Sequence, residues 1–85
     1  MLTKNITVEL PTDHESRPVA LLVQVASQYE SVIHMENGSI RANAKSIMGM
    51  MAFGLKKGME VRVTVDGKDE ADAMAAMEKQ LGRAC

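Results

Sequence analysis

Two short stretches of this chain hold the residues best suited to chemistry on an anion. The first, Asp13-His14-Glu15-Ser16-Arg17-Pro18, reads like a loop running into a helix. The second, Lys45-Ser46-Ile47-Met48-Gly49, opens a shorter helix further on. A helix start carries free backbone N–H groups and the positive end of the helix dipole, so negative charge is favoured at both. Arg17 would add charge-assisted hydrogen bonds. Glu15 places a carboxylate at the first helix end, worth about 0.3–1 kcal/mol there. Ser46 is a good N-cap through its hydroxyl.

Those residues need elements to hold them. Residues 2–9 alternate, with Leu2, Ile6 and Val8 apolar and Lys4 breaking the pattern, as in a half-buried strand. Pro11-Thr12-Asp13 ends it. Ser16 or Glu15 caps the helix that follows, with Pro18 in its first turn, and the helix runs to about Tyr29. Its inward stripe is Leu22, Val25, Ala26 and Tyr29, with Pro18 and Val19 at the start; Ala20, Val23, Gln24 and Ser27 fall on another face. Val32, Ile33 and Met35 make a second strand on which His34 is exposed. Asn37-Gly38 is a strong hairpin signal, and residues 40–43 return. A short helix over 47–53 closes at Gly54. Residues 59–65 alternate as a strand, and Asp66-Gly67 turns. Asp69 then caps the last helix, with Glu70 and Asp72 at its positive end. Ala71, Met74, Met77 or Glu78, and Leu81 form that helix's stripe. Gly82 stops it, and Arg83 suits its negative end. The order βαββαβα predicts an α+β open-faced β-sandwich: a four-stranded antiparallel sheet with three helices on one face.

The bulk numbers narrow the function classes. The 85 residues allow one domain, spanning 1–85. Tyr29 and Phe53 are the only aromatics, and eight methionines take up part of the missing volume. Ten basic residues against eleven acidic ones leave no electrostatic footprint for direct nucleic-acid binding. No apolar run suits membrane insertion and no signal segment is present, so the reading is a soluble cytoplasmic protein. Cys85 is the only cysteine, which excludes an internal disulfide. Two scattered histidines and one terminal cysteine make no metal site, and no glycine-rich phosphate loop suggests a cofactor.

Arg17-Pro18, and above all the run Lys45-Ser46-Ile47-Met48-Gly49, resemble the two phosphorylation regions of the HPr family. These are the phosphocarriers of the bacterial phosphoenolpyruvate sugar phosphotransferase system. The resemblance covers essentially the whole chain. It implies the same open-faced sandwich and a phosphoacceptor rather than an enzyme. In that family Enzyme I phosphorylates a histidine two residues before the arginine, and the carrier passes the group to sugar permease IIA domains. Here that place belongs to Glu15, which cannot form the transferable N–P bond, and His14 stands one residue early. A shift of one residue moves a side chain by about 3.3–3.6 Å, which in-line transfer tolerates poorly. Several readings stay open. Glu15 stabilises the helix dipole or pairs with Arg17. His14 packs, faces water or is a displaced phosphoacceptor.

The resemblance also implies that an HPr kinase/phosphorylase modifies Ser46. The product would dock to a LacI-type catabolite control regulator through Arg17, Ala20, Val23, Gln24, Ile47, Met48 and Met51. The pattern of residues 47–53 fits a docking surface, because a two-turn surface helix that is apolar nearly all around cannot bury every side chain. Met50 and Phe53 are expected to face inward, and Ile47, Met48 and Met51 outward. A catabolite-repression variant within the family likewise lacks the histidine and keeps the serine, with glutamine as its usual replacement. In this chain Asp13 also departs from the family's loop glycine. The leading expectation is a regulatory HPr-like protein of carbon catabolite control. A phosphocarrier using His14, and a non-phosphorylated interaction domain, are the alternatives.

Overall fold

Strict alternation in one strand sets the architecture. Over Glu60–Asp66, Val61, Val63 and Val65 are buried while Glu60, Arg62 and Asp66 face water, so the sheet has a single dry face. The computed structural model describes residues 1–9, 17–54 and 58–84, with the backbone alone at Arg17, Pro18, Arg83 and Ala84. Its elements are β1 (Leu2–Val8), α1 (Arg17–Ala26), β2 (Val32–Asn37), β3 (Ile40–Asn43), α2 (Ile47–Phe53), β4 (Glu60–Asp66), α3 (Glu70–Leu81) and β5 (Gly82–Ala84). All strand pairs are antiparallel, in the order β3-β2-β4-β1-β5. The core joins Ile6, Val8, Ile33, Met35 and the β4 valines to Val19, Leu22, Met50, Phe53, Met74, Met77 and Leu81 from the helices.

The four expected strands form this sheet, and β5 extends it by a fifth that local pattern suggests only as a helix stop. Gly82 makes the extension possible. A Cβ there would lie 2.5 Å from the Thr7 carbonyl oxygen, so only glycine lets the chain leave α3 directly against β1. Glu9 N–H then donates to the Leu81 carbonyl at 2.7 Å, and Arg83 pairs with Thr7 in register.

Other differences are local. α1 ends at Ala26, not near Tyr29. Gln28 N–H donates to Val25 and Tyr29 N–H to Ala26, at 3.1 and 3.3 Å. These i→i−3 bonds tighten the last turn. The Ser27 hydroxyl also donates to the Val23 carbonyl, a local competitor of helix extension. On α3 the buried line is Ala73, Met74, Met77 and Leu81, with Ala71 exposed. Glu78 turns aside to form an ion pair with Lys4. That pair accounts for Lys4, which shares the inward parity of Ile6 and Val8 but carries its ammonium to the rim.

Asp69 makes no side-chain cap on α3, contrary to the sequence expectation. Its carboxylate is drawn instead to the turn between α1 and β2. It accepts from Glu30 N–H at 2.9 Å, from Ser31 N–H at 3.0 Å and from the Ser31 hydroxyl. Ser31 is fully buried, and a buried hydroxyl requires such a partner. Gly67 closes the junction: a Cβ at that position would sit 2.6 Å from Ser31 Cα. The Ser31 hydroxyl, followed by Glu30 N–H, holds the Asp69 carboxyl below the usual aspartate range.

Two measurements test this junction. Gly67→Ala forces Ser31 away and is expected to lower stability in urea unfolding by about 1–3 kcal/mol. Asp69→Asn is expected to melt below the wild type at neutral pH. Because the folded-state pKa is depressed, the wild-type advantage is complete above the ordinary aspartate value, ~4. It disappears as pH falls through the lowered folded value. Melting curves that stay equally separated across the acid range would refute the junction's role.

Candidate functional site

Ser46 is delivered to its place by the end of β3. Asn43 turns the chain: Lys45 N–H donates to its side-chain oxygen at 2.9 Å and Ser46 N–H to its carbonyl at 3.0 Å. Ser46 is then extended, with φ −104° and ψ 114°, and stands at the N-cap of α2. Its Oγ accepts from Gly49 N–H at 3.1 Å, and its carbonyl accepts from Met50 N–H at 2.9 Å. The expected cap is present. Gly49 has a part in it that the motif alone does not reveal. A Cβ at position 49 would lie 3.2 Å from Ser46 Oγ, closer than ordinary contact. Glycine therefore leaves the hydroxyl room.

Lys45 also has a structural partner outside the motif. Its Nζ donates to the Tyr29 carbonyl at 2.6 Å, in the turn just after α1. A cation suits the negative end of a helix. The bond ties the start of α2 to the end of α1 across residues that sequence spacing does not connect.

α2 divides its apolar side chains as its pattern predicts. Met50 and Phe53 are 0% and 3% exposed, whereas Met48, Met51 and Ile47 are 80%, 57% and 40% exposed. α1 packs beside α2, and its Ala20 and Gln24 are exposed. Val23 departs from expectation: it is half-buried and packs against the core. It is i+4 from Val19 and i−3 from Ala26, at the edge of the buried stripe. Val23 thus stands at the margin of the outward face, partly covered by the core. Leu21, 48% exposed and three residues before Gln24, is an outward apolar side chain that the sequence stripe did not single out.

The other candidate region is less fully placed. Arg17 is the first residue of α1. His14 and Glu15, like the Arg17 side chain, lie outside the described residues. His34 sits half-buried on the outer sheet face, in register with Asn43 and Thr64. No described helix is long and apolar enough to cross a membrane.

Comparison with known proteins agrees with this geometry. Residues 2–82 match the family model for the phosphorylation site of the HPr component of the phosphotransferase system. The chain is 42% identical over 79 residues to phosphocarrier protein HPr of Treponema pallidum, covering 93% of this chain and 90% of that protein. It is 39% identical over 77 residues to the HPr-like protein Crh of Halalkalibacterium halodurans, covering 91% and 92%. A crystal structure of phosphocarrier protein HPr from Bacillus anthracis superimposes with a TM-score of 0.88 at 32% identity, over 94% of this chain and 95% of that one. Among the described residues, an open five-stranded sheet under three helices and a serine capping the short helix converge with a match along nearly the whole length: the chain belongs to the HPr family of the phosphotransferase system, whose namesake HPr is a phosphocarrier protein and not an enzyme.

Proposed function

We propose that this chain is a regulatory HPr-like protein of carbon catabolite control, switched by phosphorylation of Ser46. The observation that carries the reading is the contrast between its two phosphorylation regions. Glu15 stands where the family's phosphohistidine belongs, while Ser46 keeps its place at the start of α2, beside exposed Ile47, Met48 and Met51. A phosphoryl group on Oγ would meet N–H groups of the first helical turn, so α2 accepts it with little disruption. It adds charge at the margin of an apolar surface, and that combination suits recognition by a second protein. The partners are an HPr kinase/phosphorylase acting in the cytoplasm and a LacI-type catabolite control regulator. The regulator docks through Ile47, Met48 and Met51 with Ala20 and Gln24; Arg17 stands at the edge of this surface and Val23 at its margin. The likeness to Crh supports this regulatory role.

The likeness to a phosphocarrier from Treponema pallidum favours a second reading. In it His14 accepts the phosphoryl group from Enzyme I and passes it to a sugar permease IIA domain. One experiment separates the two. The protein is incubated with HPr kinase and ATP, or with Enzyme I and phosphoenolpyruvate, and the products are mapped by mass spectrometry. The regulatory reading expects phosphate on Ser46 in the first reaction and no transferable phosphate in the second. An unmodified Ser46 sinks it, and an acid-labile phosphate on His14 that moves on to the permease domain establishes the carrier.

Ser46→Ala is the natural negative control, and its stability has to be measured beside its activity. Losing the cap is expected to cost about 0.5–2 kcal/mol in denaturant unfolding. Ser46→Asp, which retains a capping oxygen, is expected to recover most of that loss.

A further inference from the structure

The fold sorts the eight methionines of this chain into separate environments. Met35, Met50, Met74 and Met77 are buried, each 2% exposed or less. Met59 is half-buried and packs against the core. Among the described residues, Met1, Met48 and Met51 are the methionines more than half exposed. Met48 and Met51 stand three residues apart on α2, so their side chains are neighbours on one helix face. Both lie within five residues of Ser46 on the outward side of that helix.

We propose that Met48 and Met51 form a peroxide-reactive modification site, and that their oxidation to sulfoxides turns off docking through α2. The second half rests on the docking surface inferred above. The chemistry needs only a hydroperoxide. The thioether sulfur attacks the outer peroxide oxygen, a sulfur–oxygen bond forms and the oxygen–oxygen bond breaks. Sulfur gives up two electrons and the peroxide gains them. The proton on the transferred oxygen ends on the departing one, as water or an alcohol. Exposure decides which methionines react, because a buried sulfur offers the peroxide no approach.

Two features make this a switch and not merely damage. Neither side chain is part of the buried core, so the fold does not depend on their remaining apolar. The surface does depend on it. A sulfoxide is polar and chiral, and covering it with a partner strips it of water without supplying a matched donor. Leucine would give the same helix a similar apolar area without this chemistry, whereas methionine adds a soft, oxidisable sulfur.

The test uses the full chain treated with dilute hydrogen peroxide and followed by peptide mass mapping and circular dichroism. One added oxygen is expected at Met48, Met51 and Met1 well before Met35, Met50, Met74 and Met77, with the spectrum unchanged. Ser46-phosphorylated protein is then titrated against the purified LacI-type regulator from the genome that encodes this chain. Oxidation is expected to weaken binding by about tenfold or more. A mixture of the two methionine sulfoxide reductases, one for each epimer, is expected to restore it. The double variant Met48→Leu, Met51→Leu, compared with its own untreated sample and not with the wild type, should bind equally before and after peroxide; it still oxidises at Met1, which controls for that site. Oxidation of Met48 and Met51 no faster than the buried methionines overturns the proposal. So does undiminished docking by the oxidised protein, or equal peroxide sensitivity in the double variant. If the reduced, phosphorylated protein does not dock at all, the docking surface falls and the switch falls with it, whatever the oxidation map shows.

Discussion

Val61, Val63 and Val65 of β4 lie between Ile6 and Val8 of β1 and Ile33 and Met35 of β2, and together they make a dry surface that must be covered from one side. Each such side chain contributes about 1.5–3 kcal/mol when fully removed from water. The opposite surface offers no such gain. Asn5, Arg62, Glu36 and Arg41 stand in cross-strand register there, and Arg41 lies 4.0 Å from Glu36. Three helices therefore crowd onto the same face, and α1 is brought against both α2 and α3. The candidate site is a result of that crowding. α2 is seven residues long and needs only Met50 and Phe53 to seal its part of the core, so its remaining apolar side chains stay outside.

The turn between α1 and β2 is held from two directions. Lys45, at the threshold of α2, binds the carbonyl of Tyr29. Asp69, at the threshold of α3, binds Glu30 and Ser31. Both bonds are made by a charged group to backbone, the stronger class of protein hydrogen bond. The helix starts are thus referenced to one short segment as well as to the sheet beneath them. The position of Ser46 is consequently set by more than its own cap.

Much of this was legible in the sequence, for reasons that can be stated residue by residue. The β4 alternation, the Asn37-Gly38 turn and the Ser46 cap are local signals, written within a few residues of where they act. Met50 and Phe53 are spaced to share one helix face, and the family resemblance, which places Ile47, Met48 and Met51 outside, indicates that this face turns inward. The misses share a cause. Asp69 looks like a cap to any local rule, because its true partner Ser31 lies 38 residues away. β5 has three residues and no alternation to announce it; only the approach of Gly82 to Thr7 reveals it. Val23 occupies the boundary of a stripe whose exact rotation depends on how α1 settles on the sheet. The partner of Lys45 is likewise a product of packing, and no property of the pentapeptide around Ser46 predicts it.

The strand order also fixes a sequence of events during synthesis. β1 leaves the ribosome before the other strands, yet both its neighbours, β4 and β5, come from residue 60 onward. The β2–β3 hairpin can close locally while the chain is still growing. Ile6 and Val8 must wait, uncovered, until the far end of the domain arrives. Contacts of such long separation slow folding and prolong the exposure of apolar surface. Among these strands, the one most in need of shelter in the nascent chain is therefore the one made earliest.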